Sequence, residues 1–478
     1  MNTIYTLLPL LIIVAASLLV MILEAFFKRE DRSYLAYVSL LFLIASAASC
    51  IQFWNKGYSY FDGNLSLNNF SLFFIIILIV ATFLVILISI KYLTLQNANY
   101  GEYYALLLFA LSGMIIMVSS SDLIVIFLGL EVLSLSSYAL AGLRREDDKS
   151  NEAAVKYFLL GSFASAFLVL GIAFLYGATQ ATAIPSIVQS LQSSTSMGTL
   201  GLVGLGLIVI GFGFKIAVVP FHMWTPDVYQ GAPTPITAFF SVGPKAVGFV
   251  VLLRIFIPYF KDALESELMF GLLWFIAAIT MIAGNLIALR QTNVKRILAY
   301  SSIAHAGYLM VAILARDTQS LVFYLTAYLF MNIGAFAAVI ALGKKDHEYQ
   351  ELEDYKGIGF RYPWIGATFA MFLISLAGFP PTGGFLAKFY VFSAAVRQGL
   401  ISLVIIGVLA SLVSVFYYLR IVINMYMKEP SYEVDINFDN PSLFLALFLC
   451  LYGVLQLGIF PGNILVLIRQ AVESLSLF

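Results

Sequence analysis

Apolar side chains run along this chain in long unbroken blocks separated by short polar or turn-rich punctuation. The blocks fall near 3–27, 34–54, 68–92, 101–119, 121–143, 152–178, 199–220, 232–258, 268–290, 293–315, 319–342, 363–397, 400–427 and 441–468. A helix needs about 20 predominantly apolar residues to cross a bilayer. Barrel strands would instead alternate in segments of about ten residues. The pattern therefore predicts an all-α polytopic membrane protein with about 14 transmembrane helices. Block twelve is too long for one straight span and contains Gly378-Phe379-Pro380-Pro381-Thr382-Gly383-Gly384, a run that a continuous helix cannot accommodate. Span seven is interrupted in the same way at Val219-Pro220-Phe221-His222.

The basic residues between spans test this count. Odd-numbered loops hold Lys28, Arg29, Arg32, Lys91, Arg144, Arg145, Lys149, Arg290, Lys295, Arg296, Lys344, Lys345, Lys356, Arg361 and Lys428, whereas even-numbered loops hold only Lys56, Lys261, Arg316 and Arg397. Lys and Arg collect on the cytoplasmic side, so both termini are expected on the opposite side. The first block carries no positive charge before its apolar run, and Lys28-Arg29 follow it. That order is the reverse of a cleavable signal, and the block reads as a retained first span.

Composition agrees: 61% of the 478 residues are hydrophobic and 11% charged, with 26 basic and 26 acidic side chains. This balance excludes a polybasic nucleic-acid binder and an acidic disordered chain. Cys50 and Cys450 lie far apart in apolar runs and offer neither a disulfide framework nor a ligand cluster. No haem, zinc or iron–sulfur spacing is present. Gly211-Phe212-Gly213-Phe214-Lys215 lacks the spacing of a nucleotide loop and sits inside a span.

Ser136-Ser137-Tyr138-Ala139-Leu140-Ala141-Gly142 in span five resembles Ser301-Ser302-Ile303-Ala304-His305-Ala306-Gly307 in span ten. Five spans separate the copies, and an odd number inverts the second unit in the membrane. Spans four to eight and nine to thirteen are thus expected to form two inverted five-helix repeats, with spans seven and twelve as the paired broken helices. Broken spans in corresponding positions point to an ion or substrate pathway. The chain divides accordingly into an N-terminal three-helix segment (1–100), a first unit (101–260), a second unit (261–430) and a C-terminal helix (431–478).

Six basic residues remain inside or near spans: Lys156, Lys215, Lys245, Arg254, Lys388 and Arg420. Lys245 is ten residues past Pro235, Lys215 nine before Trp224 and Lys388 nine before Arg397, so each lies about 13–15 Å from a helix end. Glu131, nine residues after Asp122, is at similar depth, with Ser134 and Tyr138 on its face. A charge at the helix centre costs about 2.5–3.5 kcal/mol, so these four together cost on the order of 10 kcal/mol, and intramembrane charge of this kind marks a function or a partner. Lys156, four residues after Glu152, reads as a snorkelling side chain, and Arg254 and Arg420, near helix ends, read as structural. Pro244 and Pro220 free the Phe240 and Ile216 carbonyls beside two of the lysines, and such carbonyls attract water or an ammonium group. Groups held from water beside one carboxylate can exchange protons near neutral pH.

His305 is twelve residues into span ten with Ser301 and Tyr308 on its face, the placement of a proton shuttle or of a packing histidine. His222 sits at the span-seven break, where gating and capping are equal readings. His347 lies in an acidic loop and reads as solvated.

Three segments carry a family resemblance: Leu128 to Tyr138, Glu152 to Gly161, and Phe214-Lys215 through Val219-Pro220-Phe221-His222-Met223-Trp224-Thr225-Pro226-Asp227 to Pro235. Ala299 to Tyr308 and Gly378 to Phe385 extend it over nearly the whole chain. These segments closely resemble the subunit N family, one of the antiporter-like membrane-arm subunits of bacterial respiratory complex I (NADH-quinone oxidoreductase). The resemblance implies a proton-pumping subunit with Glu131, Lys215, Lys245 and Lys388 as functional residues and His305 on a central polar axis. Lys388 separates it from the related subunit M, which has glutamate in helix twelve, and no long lateral helix of the subunit L type follows span fourteen. It further implies no cofactor in this chain, with NADH, FMN, iron–sulfur clusters and quinone handled by partner subunits. The expected partners are neighbouring antiporter-like and small membrane subunits and the lipid of a bacterial inner membrane. In the implied mechanism Glu131 and Lys215 form a modulated ion pair, Lys245 and His305 pass the proton laterally, and Lys388 releases it. The competing readings are a Mrp-type cation/proton antiporter subunit, the equivalent subunit of a ferredoxin-dependent photosynthetic complex, and a non-pumping membrane scaffold.

Overall fold

The computed structural model describes residues 7–27, 32–60, 64–193, 199–262, 267–343, 348–429 and 440–475; His347 and the Lys28, Arg29, Lys344 and Lys345 loop charges lie outside them. Among the described residues, thirteen helices are long and apolar enough to span a membrane. They are α1 (Leu8–Phe26), α2 (Ser33–Phe53), α3 (Asn69–Leu95), α4 (Glu102–Ser119), α5 (Leu123–Ala141), α6 (Asp148–Thr179), α8 (Thr199–Ile216), α10 (Thr234–Asp262), α11 (Glu267–Ala288), α12 (Val294–Leu314), α13 (Thr318–Ala341), α17 (Ile401–Met427) and α18 (Pro441–Ile459). The remaining expected span, number twelve, is two half-length helices, α15 (Pro363–Ala377) and α16 (Gly383–Arg397). Short helices α7 (Ile184–Ser193), α9 (Thr225–Gly231), α14 (Ile358–Arg361) and α19 (Gly462–Leu475) complete the set.

Local chemistry places the helix starts. Asn68, Asp122, Asp147, Asn293, Asp317 and Asn440 each accept a backbone N–H of the first turn of α3, α5, α6, α12, α13 and α18, satisfying a donor that a helix N-terminus otherwise leaves unpaired. Breaks are equally local. After α8, Ala217 takes φ 61°, and the Val218 N–H bonds the Gly213 carbonyl, closing the helix one residue past Lys215. After α15, Gly378 at φ 92° ends the helix in the left-handed conformation that glycine adopts without strain.

Three features differ from the sequence reading. Span fourteen stops at Ile459, because Pro461 follows, and α19 is a separate amphipathic helix packed on α3 and α13. A hairpin of β1 (Tyr58–Tyr60) and β2 (Leu65–Leu67) joins α2 to α3. Helix α7 lies between α6 and α8. These pieces are too short or too polar to register as spans.

Burial orders the bundle. The apolar stretch of α10 is wholly buried, and α12, α13 and α3 are nearly so, whereas α1, α6 and α17 leave most of theirs on the outside. The most enclosed helices, α10 and α12, are those that carry Lys245 and His305.

Candidate proton pathway

Glu131 projects from α5 and accepts a hydrogen bond from Ser165 Oγ of α6 at 2.6 Å. It lies on a groove of about 520 Å³ shared with Phe127 and Ser162. One helical turn on, Ser134 Oγ accepts from Lys215 Nζ at 2.9 Å. Glu131 and Lys215 thus bond separate hydroxyls and are not in ion-pair contact in this structure, where the expectation was an ion pair of modulated strength. Lys215 is buried and stands 5.6 Å from the Tyr157 ring centroid. Tyr157 stacks on Trp224 at 4.5 Å and meets Tyr138 edge-on at 4.9 Å. Tyr138 is thus part of an aromatic wall, and its hydroxyl occupies the space above Gly161, where a Cβ would lie 2.1 Å from it.

Gly248 of α10 holds the next step against the first, since the Ile216 side chain fills the space of its missing Cβ. Lys245 Nζ donates to the carbonyl of Ser302 and, at 2.5 Å, to its hydroxyl. The partner comes from α12 and not from the Phe240 carbonyl freed by Pro244, so α10 continues through that proline and the ammonium turns to the neighbouring helix. Tyr229 approaches the same hydroxyl at 3.4 Å.

His305 sits between two lysines. Its Nδ1 is 2.6 Å from Tyr324 Oη, and its Nε2 is 3.4 Å from Tyr418 Oη, which also bonds Ser301. The Tyr328 ring is 5.1 Å from the imidazole centroid and 5.5 Å from Lys245 Nζ. On the other side the Tyr308 ring is 5.6 Å from the imidazole and 5.1 Å from Lys388 Nζ. Tyr308 is held by Asn285 at 3.2 Å, and Asn285 by Tyr417 at 2.9 Å.

Lys388 uses the helix break directly. Its Nζ donates to the Leu376 and Ala377 carbonyls at 3.0 and 2.8 Å and to Ser411 Oγ at 2.8 Å. The carbonyls are the unpaired C-terminal acceptors of α15, where the helix dipole also favours a cation. Here the reading that a broken span supplies acceptors to an ammonium agrees with the geometry. Lys388 lines a second cleft, of about 610 Å³, between the α15–α16 break, α16 and α17.

The polar axis thus runs Glu131, Lys215, Lys245, His305, Lys388, with a groove at each end. The described residues place no carboxylate within 4 Å of Lys215, Lys245 or Lys388. Among the described residues, buried polar atoms of Tyr157 and Asn332 find no hydrogen-bond partner, an uncommon state for buried groups. His222 stands apart at the α8–α9 break, with Nδ1 unpartnered. Tyr157, Tyr324, Tyr328 and Tyr418 were not singled out by spacing; Tyr157 alone lies in a segment that carried the resemblance. Lys156 is not a free snorkelling chain, since it bonds Glu152 and Asp227 at 2.6 Å each.

A family profile described as "NADH:quinone oxidoreductase/Mrp antiporter, TM" matches residues 120–414, the stretch that contains every residue of this axis. The chain belongs to the NADH-quinone oxidoreductase subunit N family. A protein of that name from Trichlorobacter lovleyi is 44% identical over 469 residues, covering 97% of this chain and 96% of its own length. A chain of respiratory complex I from Thermus thermophilus superposes with a TM-score of 0.82 at 33% identity, covering 96% of this chain and 98% of that one. The Mrp complex from Dietzia sp. contains a chain of the same fold, with a TM-score of 0.84 at 21% identity, covering 99% and 98%.

Proposed function

We propose that this chain is a proton-translocating membrane subunit of a bacterial NADH-quinone oxidoreductase and that Glu131, Lys215, Lys245, His305 and Lys388 carry the protons. The observation that supports this most is the seating of three buried lysines on hydroxyls, carbonyls and tyrosine rings instead of on fixed carboxylates. A lysine bonded to neutral acceptors can give up its proton without stranding a buried counter-charge, as a salt-bridged lysine would.

The gap between Glu131 and Lys215 is the adjustable element. Two unit charges at 4 Å attract by about 4 kcal/mol at an effective dielectric constant of 20. Closing the gap holds a proton on Lys215, and opening it, driven by redox chemistry in partner subunits, releases the proton along the axis. Lys245 and His305 relay it through the tyrosine pair Tyr328 and Tyr308, and Lys388 discharges it at the α15–α16 break. Ser301 and Tyr308 position the imidazole, Tyr138 supports the wall around Lys215, and His222 acts at the α8–α9 break.

In this reading the two five-helix units, 101–260 and 261–430, are related by inversion, and both termini face the non-cytoplasmic side of the inner membrane. NADH, FMN, iron–sulfur clusters and quinone belong to partner subunits. The open grooves at Glu131 and Lys388 face neighbouring membrane-arm subunits. Purification in mild detergent tests the assignment: a multi-subunit assembly with flavin and iron–sulfur absorbance is expected. A flavin-free assembly that exchanges sodium for protons without NADH oxidation would replace it with the Mrp-type reading.

A further inference from the structure

Arg254, near a helix end, neither snorkels nor pairs with a described carboxylate. It is 7% exposed, so it does not reach out to water, and no described carboxylate lies within 4 Å of it. Its guanidinium donates to the Ser120 carbonyl and, at 2.6 Å, to the Val118 carbonyl, and lies 5.4 Å from the Phe70 ring centroid. Two of the five N–H donors of an arginine are thereby used. A buried guanidinium without a counter-ion is costly.

Beside it is a cavity of about 420 Å³. Among the described residues of its lining Arg254 is the one charged side chain; the rest is mainly apolar, with Leu253, Ile257, Val188 and Val472 among its walls. Helices α7 and α19 form part of the enclosure. Position matters as much as composition. Arg254 is 20 residues beyond Thr234 at the start of α10 (254 − 234), a rise of about 30 Å, which equals the thickness of the hydrocarbon core, about 30 Å. The guanidinium therefore lies at headgroup depth on the rim that carries the β1–β2 hairpin. Amphipathic helices lie in that same interfacial layer.

We infer that this cavity is a binding site for an anionic phospholipid, with the phosphodiester paired to Arg254 and part of one acyl chain along α10 under α7 and α19. Arginine matches phosphate oxygens in a two-pronged geometry, the apolar lining selects an anion that carries a chain over a free one, and the volume falls in the range of ordinary ligand sites, about 300–1,000 Å³. The lipid supplies the counter-charge that no described carboxylate provides within 4 Å and fastens the two rim helices to α10. The inference is independent of the proton pathway.

The test uses the intact complex in nanodiscs containing phosphatidylglycerol that bears a diazirine in its acyl chain. Photolysis is expected to label peptides of α7 or α19, and Arg254→Gln is expected to lower that labelling at least tenfold. Val472→Trp, which fills the cavity and leaves the arginine, is expected to do the same and serves if the first variant does not assemble. Equal labelling by the matching phosphatidylcholine probe, displacement by inorganic phosphate or by palmitate, absence of labelling, or wild-type labelling in the variants that assemble would each overturn the proposal.

Discussion

Removing the Glu348 carboxylate should loosen the start of α12, and the effect can be sized from its surroundings. Glu348 lies in the loop after α13, yet its side chain is only 6% exposed. It accepts from Tyr92 Oη of α3 and, at 2.7 Å, from Thr234 Oγ1 at the start of α10. It lies 3.6 Å from Lys295 Nζ at the start of α12, and that ammonium also donates to the Ala232 carbonyl at 2.7 Å. One carboxylate thus ties together the starts of the two helices that bring Lys245 to Ser302. Burial pushes the Glu348 carboxyl up, but Lys295 and Arg144 outweigh it and hold it at about 2. Because the folded value lies below the unfolded one of about 4.3, the stabilisation is complete above that unfolded value and is lost only as pH falls through about 2. From pH 5 up to about 7 the contribution of the carboxylate should be constant. Glu348→Ala leaves a fully buried lysine without its partner, at a cost of about 3–5 kcal/mol. Hydrogen exchange in residues 292–300 of the assembled complex should then accelerate at least about a hundredfold, at 1.4 kcal/mol per tenfold. Adding Lys295→Met removes the stranded charge and should recover most of the protection. Unchanged exchange in Glu348→Ala, or no recovery in the double variant, would refute this account.

Other consequences are local. Ser302→Ala removes the hydroxyl acceptor of Lys245 and leaves the carbonyl; a hydrogen bond to a charged group is worth about 1.5–3 kcal/mol, so the rate of NADH-driven proton translocation should fall by about one to two orders of magnitude in a vesicle acidification assay. Gly161→Ala places a Cβ 2.1 Å from Tyr138 Oη and should destabilise the aromatic wall by about 1–3 kcal/mol, with partial rescue by Tyr138→Phe in thermal inactivation. Gly384→Ala would put a Cβ 1.9 Å from the Ser375 carbonyl oxygen, forcing α15 and α16 apart, so native gels should show loss of assembled complex.

The spans were legible because the bilayer requires continuous apolar helices, and the breaks because Pro220 and the clustered prolines and glycines of 378–384 mark them, although α10 continues through Pro244. What stayed hidden is tertiary. Pro244 suggested a freed carbonyl as the partner of Lys245, but only the packing of α10 on α12 reveals Ser302. Glu131 and Lys215 share a face, but the hydroxyls of Ser165 and Ser134 satisfy them separately. Tyr328 is one tyrosine among 27, and nothing in its spacing shows that its ring lies between Lys245 and His305. Glu348 sits in a loop that reads as solvated, and it is the folding of that loop onto Lys295 that buries it. Arg254 looked like a residue near a helix end, and that position is what brings it to the rim cavity.

The central claim is that the buried lysines move the protons, and Lys215→Ala in a correctly assembled complex tests it most directly. The measurement is protons translocated per NADH oxidised in sealed vesicles, with assembly checked on native gels. Loss of proton pumping is predicted. Full wild-type stoichiometry in the assembled variant would contradict the account.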